Sequence, residues 1–187
     1  MKIQNTLQNS SEEAFAVKNL VESSGLVVDS DFPPSDASLY PDPSQPPASA
    51  APLLDNEVEW KRIEGPTYVP SNLTPRFKLG KGGMNHQSFL SALSAVACRS
   101  DLILDLIVSD EHAKQGCYTC QFYKHGFFQP VCVDNLIPCL DDSPAFLTQS
   151  SSEGIWPSII EKAYAKVHGS YFSLVRSQSL VLLSDMT

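Results

Sequence analysis

Seven prolines fall between Phe32 and Pro52, and this stretch limits the fold more than any other part of the chain. Proline lacks a backbone N–H and biases the residue before it away from helix, so the stretch can form neither a long helix nor a central strand. We expect an extended proline-rich segment over residues 31–75, wrapped on a surface that other residues supply. The core must come from downstream. At 187 residues the chain has room for one domain with a substantial interior, and two would be cramped.

Downstream, the periodicity predicts α+β structure. The turn Gly80 to Gly83 is followed at once by an apolar run over 89–97, and the small residues Ser91, Ser94 and Ala95 suggest a buried helix packed closely on its neighbours. Residues 102–108 continue as a second helix, with Leu102, Leu106 and Ile103, Ile107 at i, i+4. Alternation over 117–123 and 127–133 around Lys124-His125-Gly126 predicts a hairpin. Residues 138–144 read as loop, with Asp141 and Asp142 solvated. A helix over 156–167 is expected to bury Ile159, Ile160, Ala163, Tyr164 and Val167, with Gly169 as its stop. Leu180 to Leu183 is an apolar run of unassigned type. A further helix is expected over 11–23, capped by Ser10 or Ser11.

Charge narrows the function. The formal net charge is −8 and no block of lysine or arginine occurs, which argues against nucleic acid as a partner. No window approaches the roughly 18 apolar residues of a membrane span, and the first fifteen residues have no apolar core of a secretory signal. A cytoplasmic setting is expected, and the five cysteines, an odd number, fit reduced thiols there. Cys117 and Cys120 form a C-x-x-C that invites a zinc reading with His125, Cys132 or Cys139. On a strand, however, residues three apart face opposite ways, and no second pair exists, so buried structural thiols are the preferred reading. A glycine turn with Lys81 before a helix suggests a phosphate cradle, but the G-x-x-x-x-G-K pattern is missing.

The longest motif lies at 154–171, G-I-W-P-S-I-I-E-K-A-Y-A-K-V-H-G-S-Y. It resembles the calpain protease-core signature W-x-x-x-L-E-K-A-Y-A-K-L-H-G-S-Y. The stretch D-F-P-P-S-D-A-S-L-Y at 31–40 is similar to the family's F-P-x-x-x-x-S-L, and Trp60-Lys61-Arg62 to its W-x-R-P. G-C-Y-T at 116–119 and V-C-V-D-N-L-I-P at 131–138 resemble its G-x-Y-x-V and V-V-V-D-D-x-x-P strands. L-Y-P-D-P at 39–43 and I-P-C at 137–139 lean toward plant phytocalpains. The likeness covers about 29–187, leaving 1–28 as an N-terminal helical or flexible segment. It implies a papain-like fold, the first subdomain of a calpain core, built on a central buried helix with surrounding helices and a small antiparallel hairpin.

The resemblance also implies a lost chemistry. Calpains read Q-G-x-x-G-D-C-W-F-L-S-A at the active site, and this chain reads K-G-G-M-N-H-Q-S-F-L-S-A at 81–92. Gly82 and the intact Phe89-Leu90-Ser91-Ala92 fix the alignment. Gln87 then falls at the nucleophilic cysteine, Lys81 at the glutamine that helps form the oxyanion hole, and Ser88 at the following tryptophan. A carboxamide cannot do the work of a thiolate. Lys81 could still donate to an oxyanion. Cys98 is about 16 Å along the helix from Gln87 at 1.5 Å per residue, too far to replace it. The family's histidine and asparagine belong to a second subdomain, whose opening passage Asp185-Met186-Thr187 resembles. None of His86, His112, His125 and His168 matches the catalytic histidine. The family's calcium carboxylates fall on Lys78 and Gly154, with Glu153 a neighbouring substitute, so calcium binding is not expected. No cofactor is implied.

Three functions remain on these residues. The preferred one is a catalytically inactive half-domain that holds another protein, through the face that meets the second subdomain in calpains. The second is a cysteine endopeptidase part completed by another chain carrying histidine and asparagine. The third is a zinc-stabilised structural domain.

Overall fold

The computed structural model describes residues 25–65, 77–82, 86–148 and 154–187. The helix expected over 11–23 lies outside them. In chain order come α1 (Asp36–Leu39), α2 (Ala51–Leu54), β1 (Glu59–Arg62), β2 (Lys78–Leu79), α3 (Gln87–Ala97) and α4 (Ser100–Leu106). They are followed by β3 (Ile107–Ser109), β4 (Cys117–Lys124), β5 (Phe127–Asp134), β6 (Leu136–Leu140), β7 (Ser143–Pro144) and β8 (Leu147–Thr148). The chain closes with α5 (Trp156–His168), a 3-10 stretch Tyr171–Arg176, and α6 (Ser179–Met186). No helix among the described residues is long and apolar enough to cross a membrane.

The strands form three small antiparallel sheets, ordered β1-β6-β7, β2-β8 and β3-β4-β5. The expected hairpin is β4–β5, paired from Cys117↔Asp134 to Lys124↔Phe127. Its turn is His125-Gly126, with φ of 53° and 92°. Positive φ at both central residues is the twist-matched way to close a two-residue hairpin, and glycine accepts it without strain. Pro130 sits in β5, an edge strand of its sheet, where its missing N–H is tolerated.

The expected loop over 138–144 is corrected by a second hairpin. Leu140 pairs with Ser143 across Asp141-Asp142, whose φ values are 48° and 63°. Aspartate tolerates this left-handed region better than most residues, so the two acids form the turn itself. β6 also pairs with β1 far earlier in the chain (Trp60↔Pro138), a ladder with no local signature.

Helix limits also shift. In α3 the buried residues are Phe89, Ala92, Leu93, Val96 and Ala97, while Ser91 and Ala95 are exposed. The helix is amphipathic, and its small serines are not the packing surface. α4 stops at Leu106, because Ile107 pairs with Cys120 and starts a strand. The 180–183 run proves helical: Leu182 and Met186 of α6 are buried and Leu180 and Val181 exposed. α5 extends one residue beyond expectation, and Gly169 ends it with φ 91°. Within the proline-rich segment, α1 and α2 are single helical turns.

Every side chain from Trp156 to Ala165 is buried, although the pattern called for one apolar face. The polar members explain it. Lys162, fully buried, donates to Asp134 Oδ1 at 2.5 Å and to the Leu136 carbonyl at 2.7 Å. Asp134 also accepts from the backbone N–H of Asp29 (2.7 Å) and of Leu136 (2.7 Å). One turn on, Lys166 donates to both Asp29 oxygens (2.9 and 2.7 Å) and to the Cys132 carbonyl (2.9 Å). Burial pulls the Lys162 ammonium below its ordinary pKa, and Asp134 opposes that shift. Lys162 also lies over the rings of Phe32 and Trp60, so the proline-rich segment is fastened to α5 by charge and cation–π contact together.

Candidate functional site

The residues singled out in the sequence lie between β2 and the start of α3. The chain leaves β2, which pairs with β8 (Leu79↔Leu147), and stays against the next residues of that neighbour. Gly80 N–H donates to Phe146 O at 2.5 Å and Gly82 N–H to Ala145 O at 2.8 Å. A Cβ on Gly80 would sit 2.5 Å from the carbonyl oxygens of Ala145 and Pro144, and one on Gly82 would sit 2.8 Å from Leu53 Cδ2. Glycine at these positions admits the close approach of the Pro144–Ala145 backbone at Gly80 and of Leu53 at Gly82.

His86 fixes the start of α3. It is completely buried, its Nδ1 lies 3.0 Å from Glu161 Oε1, and its ring stacks on Phe146 at 4.7 Å and 17°. Phe146 stacks in turn on Tyr171 at 4.7 Å and 7°. The second Glu161 oxygen accepts from the Leu147 N–H at 3.2 Å. One carboxylate on α5 therefore joins the α3 N-terminus to β8. Sequence reading gave His86 only as a histidine that does not match the catalytic one, and assigned Glu161 no role. The available signal was a Glu-Lys pair following the apolar pair Ile159-Ile160 within the helix.

Gln87 is the first residue of α3 and is exposed, and Ser88 is half-buried. The Gln87 carbonyl accepts from Ser91 Oγ at 2.8 Å. Lys81 is exposed and ion-paired with Asp141 in the β6–β7 turn. The intervening positions 83–85 lie outside the described residues. Lys78 is exposed on β2, and Gly154 is buried with φ 83°. Neither supplies a carboxylate, and Glu153 lies outside the described residues.

The remaining histidines occur elsewhere. His125 forms the β4–β5 turn, and the His112 carbonyl accepts from the Cys117 N–H at 3.1 Å. His168, at the end of α5, lies 3.2 Å through Nε2 from Lys124 Nζ, and its ring is 4.5 Å from that of Tyr164. Lys124 is ion-paired with Asp185, which also accepts from the Tyr164 hydroxyl. Burial first, and Lys124 second, lower the His168 pKa below its ordinary value.

The cysteines are likewise dispersed. Cys98 is exposed at the far end of α3, its Sγ 3.4 Å from Ser94 O. Cys120 lies in the apolar core and Cys139 is buried in β6, where burial pushes its thiol pKa up. The register puts Cys117 and Cys120 on opposite faces of β4, and Cys117 Sγ lies 3.0 Å from Cys132 Sγ. Among the described residues no group of three or more histidine, cysteine or acidic side chains is placed to hold a metal ion.

The model of the calpain family cysteine protease matches residues 27–187. The chain is 33% identical over 185 residues to the calpain-type cysteine protease DEK1 of Arabidopsis thaliana, covering 92% of this chain and 8% of that protein. It is 34% identical over 171 residues to DEK1 of Zea mays, covering 85% and 8%. Against calpain-10 of Rattus norvegicus the identity is 30% over 182 residues, covering 92% and 26%. The chain thus spans a small part of each of these relatives' length.

Proposed function

Because this chain belongs to the calpain family of cysteine proteases, we propose that it is a non-cleaving member, a protein-interaction or structural module on a protease scaffold. Gln87 carries the reading. It opens α3 in the exposed position where the family motif has its cysteine, and an amide cannot be acylated by a peptide carbonyl. Two further features support it. The Lys81 ammonium is engaged by Asp141, which competes with any oxyanion role. His86, next to Gln87, is fully buried against Glu161, so it is closed to substrate. For a partner, Tyr123, Phe127 and Phe128 at the β4–β5 tip and Leu180 and Val181 on α6 offer exposed apolar surface.

The test is to incubate the purified chain with an unstructured protein substrate and calcium, alone and with a separately produced calpain second subdomain. An electrophilic cysteine-protease inhibitor is added in a parallel sample. The expected result is no cleavage in either mixture and no inhibitor bound at the α3 N-terminus. Cleavage that needs the second subdomain, and disappears when a cysteine is labelled, would establish the two-chain endopeptidase instead.

A further inference from the structure

The 3.0 Å contact between Cys117 Sγ and Cys132 Sγ belongs to no part of the proposed site. The two residues lie on adjacent antiparallel strands, Cys117 opposite Asp134 and Cys132 opposite Thr119, so they are diagonal neighbours on one face of the hairpin. Their surroundings differ. Cys117 is fully buried at the start of β4, whereas Cys132 is partly exposed. Cys132 helps line a groove of about 290 Å³ with Gln129, Pro130, Val131, Lys166 and Val167. A small oxidant can therefore reach one sulfur first, and the second waits beside it.

We propose that Cys117 and Cys132 form a redox pair, a modification site that hydrogen peroxide converts to an intramolecular disulfide. The Cys132 thiolate attacks one peroxide oxygen, the O–O bond breaks, and sulfenic acid and hydroxide result. The Cys117 thiolate then attacks the Cys132 sulfur and expels the second hydroxide. Each hydroxide takes up the proton that its thiol gave off. Two thiols and one peroxide become one disulfide and two waters, a two-electron oxidation of the protein. The sulfurs need to close from 3.0 Å to a bond of about 2.05 Å. Competing thiols are set apart: Cys120 is on the other face of β4, Cys139 on β6, and Cys98 at the end of α3.

The folded chain would be exposed to hydrogen peroxide, its remaining thiols alkylated, and the product digested without reductant for mass spectrometry. The expected product is one cross-linked peptide joining Cys117 and Cys132, lighter by two hydrogens and released by dithiothreitol. In Cys117→Ser, a Cys132 sulfenic acid trappable by dimedone should accumulate in its place. The map of the unsubstituted protein decides the matter even if that variant fails to fold. Alkylation of both thiols after peroxide, a link from either to a different cysteine, or over-oxidation of Cys132 without cross-linking would each overturn the assignment.

Discussion

Helix α5 and the first turn of α3 carry the two longest family-like motifs, and they are held in opposite ways. From Trp156 to Ala165 of α5 every side chain is buried, and the charged ones have partners. At the other motif Gln87 and Lys81 are exposed, and Lys81 makes a surface ion pair. Burial makes each residue from Trp156 to Ala165 answerable to several neighbours, so substitutions there carry a cost in stability. An exposed residue whose task is chemical has no such constraint once the chemistry is no longer required. On the proposed reading, that asymmetry is how a protease scaffold outlives its nucleophile.

The contrast can be broken most severely at Asp134. Replacing it with alanine leaves the buried Lys162 ammonium without its carboxylate and two backbone N–H groups without an acceptor. A loss of about 3–5 kcal/mol is expected in urea unfolding, with the family motif otherwise intact. Gly80→Ala comes next. The added methyl would meet two backbone oxygens that cannot rotate away, with an expected cost of about 1–3 kcal/mol. A Gly80→Ala midpoint equal to the parent's would mean that the turn is not held against β8 as described.

The pH dependence sharpens the same comparison. His168 has a lowered pKa when folded, so on acidification the unfolded chain takes up the proton first. The His168 contribution is therefore fully present above the unfolded histidine pKa of about 6.5 and is lost as pH falls through the lower folded value. Thermal unfolding followed between pH 7.5 and 5 should show this decline, and His168→Phe should flatten it. The smallest effect is expected at the exposed turn. Lys81→Ala should change stability by no more than about 0.5 kcal/mol, because its ion pair with Asp141 is screened by water. A larger loss would place Lys81 among the structural residues and weaken the contrast.

What the sequence revealed follows the range of the interactions. The β4–β5 hairpin and α5 were legible because their signals are local: alternation around His125-Gly126, and an apolar stripe ended by Gly169. β6 was not legible, since its ladder partner is β1 and the Asp141-Asp142 turn lacks the glycine that usually marks such hairpins. The same limit applied to the site. Motif alignment proposed Gln87, Lys81 and Ser88 by position alone, and it offered nothing on the Glu161–His86 contact, which joins residues 75 apart and has no motif of its own. The Cys117–Cys132 approach was hidden likewise, because the eye goes to C-x-x-C, whose members face apart, and not to a pair across a turn.

The bonds from Asp29 to Asp134 and Lys166 span 105 and 137 residues. During synthesis, Asp29 gains its first of these partners only with β5 and its second only with α5. Most of the described fold must therefore be synthesised before the Asp29–Lys166 ion pair can close, which makes this fastening a late, long-range step of folding.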